Sequence, residues 1–152
     1  MFNSNFKSQL LQSAKELLQQ KINALNGQLS ELVRGIENES KSSAGDKHET
    51  ARAMVQLEQE KILNQLHELE RQSETLKQIS FLEKAPDIRL GSIVRTDKEL
   101  FFLSIPFGKL IFEGREIILL SGHSPLGSLL LHKKMGDEAH LNGKTYRIHE
   151  FF

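Results

Sequence analysis

Cysteine is absent from the 152 residues, so no disulfide and no thiolate metal site holds this chain together, and a reducing compartment suits it. An excess of either charge is missing as well: 20 lysines and arginines stand against 20 aspartates and glutamates. Without net positive charge there is no long-range field to drive unspecific nucleic-acid binding, so any such contact has to be local or indirect. Long apolar runs are wanting too. None approaches the roughly 18 residues that a membrane span needs. The start, Met1-Phe2-Asn3-Ser4-Asn5-Phe6-Lys7, has no basic stretch leading into an apolar one. These absences lead to the expectation of a soluble cytoplasmic protein with no membrane partner.

What is present falls into two halves. From Leu11 the apolar positions run Leu11, Leu18, Ile22, Leu25, Leu29, Leu32 and Ile36, stepping by four and three beyond Leu18, with mostly Gln, Lys, Glu, Ser and Asn between them. That is a helix with one apolar stripe at heptad spacing. A second stripe follows at Val55, Ile62, Leu66, Leu69 and Leu76, with the polar Gln59 and Ser73 at its weaker positions. Asn38 to Gly45, rich in serine and charge, is where the chain reverses. The expected product is an antiparallel coiled-coil hairpin over residues 1–84. A helix from about Phe6 to Lys41 would be on the order of 50 Å long at its usual rise, which puts the turn far from the base. Pairing with other copies in a coiled-coil oligomer is the alternative use of such seams.

Proline in Ala85-Pro86-Asp87 ends helical continuation, and the patterning changes. Ile93-Val94, Leu100 to Ile105, Leu110 to Phe112 and Ile117 to Leu120 are short β-branched or aromatic runs set apart by Asp97-Lys98, Pro106-Phe107-Gly108 and Glu113-Gly114. Asn142-Gly143 is a strong hairpin signal, with Tyr146 to His149 as the strand that follows. Between these, Ser124 is placed to cap a helix, Pro125 to occupy its first turn, Lys133 and Lys134 to lie at its negative end and Gly136 to stop it. Residues 85–152 are therefore expected to form a small antiparallel-sheet domain with one helix, and the fold class is α+β. Most of the apolar stretch Phe101, Phe102, Leu103, Ile105 and Phe107 is expected in the core, but strand alternation would turn some of these side chains outward, and Phe107 on its Pro-Phe-Gly turn could join a partner-binding patch.

Two carboxylates, Asp46 and Glu49, open the second helix. As a capping pair they would satisfy backbone donors at its positive end. As side chains at the far end of a rod they could help hold Mg²⁺, a hard cation content with one or two carboxylates and ligands from elsewhere. The two uses are compatible. His48 lies between them and could tune their charge. Arg34, Lys41, Lys47 and Arg52 place positive charge around the same half of the hairpin, as a solvated face or as contacts to an RNA phosphate. Ser124 beside His123 has no third orienting group and reads as a cap, not a nucleophile. The six histidines show no zinc-ligand spacing.

Ser124-Pro125-Leu126-Gly127, then Leu129-Leu130, Lys133-Lys134-Met135-Gly136-Asp137-Glu138 and Tyr146-Arg147-Ile148 resemble the C-terminal half of the bacterial Gre transcript-cleavage factors, and Gly45-Asp46-x-x-Glu49-x-Ala51 is similar to that family's acidic tip. The resemblance covers nearly the whole architecture, in the helices mainly as pattern. It implies an FKBP-like C-terminal domain that grips the rim of the RNA polymerase secondary channel, with Phe107, Ser124, Pro125, Leu126 and Gly127 as contact candidates. It also implies a coiled coil inserted toward the polymerase active site, where Asp46 and Glu49 help the polymerase hold a second Mg²⁺. The polymerase itself then cuts the extruded 3′ end of a backtracked RNA. The factor would act as a monomer and would not be an enzyme on its own.

The chain departs from the family at Thr50, Arg52 and Ala53, where asparagine, an acidic residue and tyrosine are usual, and Lys47-His48 replace a small or apolar pair. Three main readings stay open: a cleavage-stimulating elongation factor, a channel-binding regulator that does not cleave, and a coiled-coil adaptor; a prolyl isomerase is a weaker fourth, because fold resemblance alone does not carry activity. The lack of cysteine disfavours the related zinc-containing channel regulators.

Overall fold

The computed structural model describes residues 2–39, 46–81 and 84–152, and for residues 39 and 46–48 the backbone alone. It divides into two compact units, one of residues 14–73 and one of residues 1–13 with 74–152. Helix α1 spans Ser4–Glu39 and α2 spans Asp46–Lys77. Among the described residues no helix is long and apolar enough to cross a membrane.

In the 14–73 unit the two helices form an antiparallel hairpin. Leu25 shares a crevice with Gln65 and Leu69, while Leu32 and Gly35 share another with Val55, Glu58 and Ile62, so position rises on one helix as it falls on the other. The seam follows the heptad stripes. Leu18, Ile62 and Leu66 are buried, and Ile22, Leu25, Leu29, Leu32, Ile36, Val55 and Leu69 are half-buried. Apolar residues off the stripes, Val33, Met54, Leu57 and Leu63, are exposed. Gly27 and Gly35 face open space, with nothing within 4 Å of an added Cβ. Replacing either by alanine is expected to stabilise the protein by up to about 1 kcal/mol, the helix-propensity difference, as a higher midpoint in urea unfolding.

The other unit holds a six-stranded sheet of β1 (Ile93–Thr96), β2 (Leu100–Leu103), β3 (Gly108–Phe112), β4 (Arg115–Leu120), β5 (Glu138–Leu141) and β6 (Lys144–Phe151), with α3 (Pro125–Leu130) between β4 and β5. The order is β3-β4-β2-β1-β6-β5. All neighbours are antiparallel except β2 and β4, which run parallel because β3 is the outer arm of a hairpin with β4. Both tight hairpins have positive φ at their two central residues, Glu113-Gly114 (50° and 73°) and Asn142-Gly143 (50° and 78°), the mirror-image turn that matches strand twist.

Phe101, Leu103, Val94, Leu120, Tyr146 and Ile148 form the main core with Leu130 of α3, and the Phe101 and Tyr146 rings meet edge-on at 5.8 Å. The opposite sheet face is buried as well, at Ile93, Phe102, Ile117 and Leu119. On that side Phe6 of α1 stacks edge-on against Phe112 at 5.3 Å. The expectation that alternation turns part of the Phe101–Ile105 run outward is therefore corrected: Phe101, Phe102, Leu103 and Ile105 are all buried, because the sheet is covered on both faces.

Two boundaries also differ. Helix α2 ends at Lys77, nine residues before Pro86, where Gln78 and Ile79 donate to the carbonyls three residues back and tighten the last turn. Ile79 then packs where a side chain on Gly91 (φ 91°) would stand, 2.7 Å from that missing Cβ. Helix α3 stops at Leu130, so Lys133, Lys134 and Gly136 lie beyond it. His132 takes the left-handed conformation (φ 65°) first, and its N–H donates to Ile88.

Candidate functional site

Asp46 is the first residue of α2 and Glu49 lies one turn further on. Positions three apart on a helix share a face, so the two residues occupy one face of α2 at the end of the hairpin where α1 finishes at Glu39. The Glu49 side chain is exposed, as are Thr50, Arg52 and Arg34. Lys41 and Gly45, and the side chains of Asp46, Lys47 and His48, lie outside the described residues, and with them the capping geometry of Asp46. Among the described residues no ion pair joins Glu49 to Arg52, and no group of three or more His, Asp or Glu stands ready to hold a metal.

The Ser-Pro-Leu-Gly run is built into the fold. Ser124 is the N-cap of α3 (φ −67°, ψ 159°); its Oγ accepts from Gly127 N at 3.0 Å and donates to the Ser121 carbonyl at 2.6 Å. With both its donor and acceptor engaged, Ser124 has the geometry of a cap, not of a nucleophile. Gly127 is buried, and a Cβ there would lie 2.0 Å from the Ser121 carbonyl oxygen. Leu126 packs on the main core. Pro125 alone of the four is exposed, and Phe107 on its turn is half-buried. His67, His123, His132, His140 and His149 are all at the surface, three of them near single carboxylates: His132 with Asp87, His140 with Glu138 and His67 with Glu70.

The molecule has a second unusual group that sequence patterning passed over. Lys7, in the first turns of α1, is 4% exposed. Its Nζ reaches the Phe152 main-chain oxygen at 3.5 Å, long for a hydrogen bond, and stands 5.5 Å from the Phe152 ring centroid. Burial pushes its pKa down from 10.5 to about 8. Between those values the unfolded chain holds the proton that the folded protein has lost, so this group makes stability rise with pH from about 8 to 10.5, and below that window its charge is a cost. Lys7→Met is expected to gain about 1 kcal/mol or more at neutral pH and to flatten that alkaline rise, as read from urea unfolding at neutral and mildly alkaline pH.

No family model matches the chain, and no curated protein matches it. Among solved structures, the chain is similar to that described as the structure of the transcription factor Gfh1, with 20% identity and a TM-score of 0.35 over 90% of this chain and 93% of that one.

Sequence reasoning missed Lys7 because a lone lysine near a helix start carries no periodic signal; only its position on the stripe side of Leu11 and Leu18 (four and eleven residues earlier) could have flagged it. It also missed that Gly127 is a glycine for lack of space.

Proposed function

We propose that the protein acts on bacterial RNA polymerase, entering its secondary channel with the hairpin end that carries Asp46 and Glu49 and stimulating the polymerase's own cleavage of backtracked RNA. The observation that carries this reading is the exposed Glu49 carboxylate, one turn from Asp46 on the same helical face, where an antiparallel hairpin turns. Mg²⁺ takes one or two carboxylates and completes its octahedron with water and other ligands, so these two side chains fit a share of a site whose remainder belongs to the polymerase. When bound there, the ion would supply a polarised water and charge neutralisation at phosphate. Asp46 and Glu49 would orient it. Exposed Arg34 and Arg52 are available to phosphates of the RNA 3′ end, with Lys41 and Lys47 near them in sequence. Pro125 and Phe107 are the accessible contacts on the sheet unit for the channel rim; Ser124, Leu126 and Gly127 would act there by shaping the turn.

A second reading, a regulator that occupies the channel without cleavage, is favoured by Arg52. It is exposed, one helical turn beyond Glu49, and opposite in sign to the acid that the Gre pattern has there. The test is purified polymerase stalled in a backtracked state. Shortened RNA on adding the protein supports the first reading and binding without shortening the second; absence of binding at low and moderate salt defeats both.

A further inference from the structure

The sheet ends at β3, which pairs with β4 on one side and, among the described residues, has no strand on the other. The two-residue loop Glu113-Gly114 makes Phe112 and Arg115 a hydrogen-bonded pair, and the alternation of an antiparallel ladder makes Leu110 with Ile117 and Gly108 with Leu119 the next ones. The N–H and C=O groups of Lys109 and Ile111 therefore point away from β4. Among the described residues no turn or loop main chain bonds to them. Both side chains are exposed as well, Ile111 at 67%. At the other end of the sheet, the Asn142-Gly143 hairpin turns Glu138 and His140 of β5 outward in the same way. That edge is guarded by polar side chains, and Arg147 holds Glu138 at 2.8 Å. On β3 the one charge is Lys109, which Glu116 of β4 already meets at 3.3 Å, and the second outward position is apolar.

We propose that β3 docks the β3 of a second copy of this chain, antiparallel about a twofold axis at Leu110, so that two sheets join into one. The occupant follows from the strand itself: Gly108-Lys109-Leu110-Ile111-Phe112 complements its own reverse. In this register Lys109 and Ile111 exchange main-chain hydrogen bonds with the partner's Ile111 and Lys109, and each lysine stem lies along an isoleucine. Leu110 meets the partner's Leu110 on the other face, where Phe112 is half-buried against Phe6. Phe112 comes opposite the partner's Gly108. Nothing lies within 4 Å of where a Cβ on Gly108 would stand, so an aromatic ring has room there. Two other registers are worse. An axis at Lys109 sets like charges directly opposite each other, and an axis at Ile111 draws the turn residue Glu113 (φ 50°) into the ladder. Five residues from each copy fall short of the roughly 1,200 Å² of a stable interface, so the dimer is weak and reversible, formed at about 0.1 mM and above. The monomer that the Gre resemblance implies is its dilute form, and this contact does not rest on the polymerase reading.

The experiment is sedimentation of the whole protein from about 0.01 to 1 mM, where a monomer and dimer in equilibrium are expected. Ile111→Lys should raise the dissociation constant at least about tenfold, through lost apolar contact on both sides of the axis and added like charge. Its melting temperature in dilute solution should match the parent's, because Ile111 is exposed. Leu110→Cys then locates the axis. The chain has no cysteine of its own, and opposed residues between the hydrogen-bonded pairs stand with Cα atoms about 4.5 Å apart, within disulfide reach. Under mild oxidation Leu110→Cys should give a disulfide-linked dimer at least about tenfold faster than His140→Cys on the β5 edge. Equal rates for the two overturn the proposal. So does a monomer at every concentration, which would leave the edge to a strand of another protein, and so does a dimer that Ile111→Lys leaves intact, which would put the contact elsewhere.

Discussion

Gly127→Ala is expected to cost at least about 3 kcal/mol of folding stability, or to prevent folding. Two effects oppose each other at this position. Alanine is the better helix former by about 1 kcal/mol, and Gly127 sits in α3 with no positive φ to demand glycine. Against that gain, the added methyl would stand 2.0 Å from the Ser121 carbonyl oxygen and 2.7 Å from Ser124 Oγ. The obstacle is main chain, so it cannot swing aside as a flexible side chain would. The same carbonyl already accepts Ser124 N at 3.1 Å and Ser124 Oγ at 2.6 Å, and displacing it breaks the cap that starts the helix. Leu130 would then leave the core at its centre. The steric clash should win by a wide margin, with urea unfolding followed by circular dichroism as the measure. Because Gly27→Ala and Gly35→Ala are expected to move the other way, the three substitutions separate glycine chosen for space from glycine merely tolerated. A neutral or stabilised Gly127→Ala protein would show that this turn has room to give.

That contrast bears on what could be read from residues alone. Heptad spacing located the hairpin seam position by position because a helix has a single buried stripe, and removing apolar surface from water is the largest driving force there. Asn142-Gly143 located its hairpin because so few residues accept positive φ in succession. Period-two reasoning failed at Phe101 to Ile105 because it assumes one wet face, and this sheet has none over β2. Helix α3 ended early because the left-handed residue is His132, a residue type that gives no warning, while the glycine that looked like a stop, Gly136, donates instead to Ile148 in the turn before β5. At the acidic end the backbone puts Asp46 and Glu49 one turn apart at the start of α2, as their spacing requires; of the cations expected around them Arg34 and Arg52 are exposed, while Lys41 and the Lys47 side chain lie outside the described residues.

Asp46→Asn and Glu49→Gln are each expected to slow RNA shortening by the polymerase at least about tenfold, about 1.4 kcal/mol of barrier, and together by about a hundredfold or more. The polarising effect of a metal on a reacting phosphate amounts to several kcal/mol, and these carboxylates would supply part of its ligand set. The choice of amides is what gives the comparison force. Asparagine caps a helix about as well as aspartate, and glutamine serves at the third position of a capping box as glutamate does, so both substitutions keep the local hydrogen bonding and remove only the charge. A purely structural role therefore leaves cleavage and melting temperature alike nearly untouched. A metal-assisting role leaves melting untouched and removes cleavage. Arg52→Glu adds the opposite probe: if the cation one turn from Glu49 opposes metal capture, reversing its sign should raise shortening above the parent level. Full shortening by the Asp46→Asn, Glu49→Gln double variant would remove the hairpin carboxylates from the chemistry altogether.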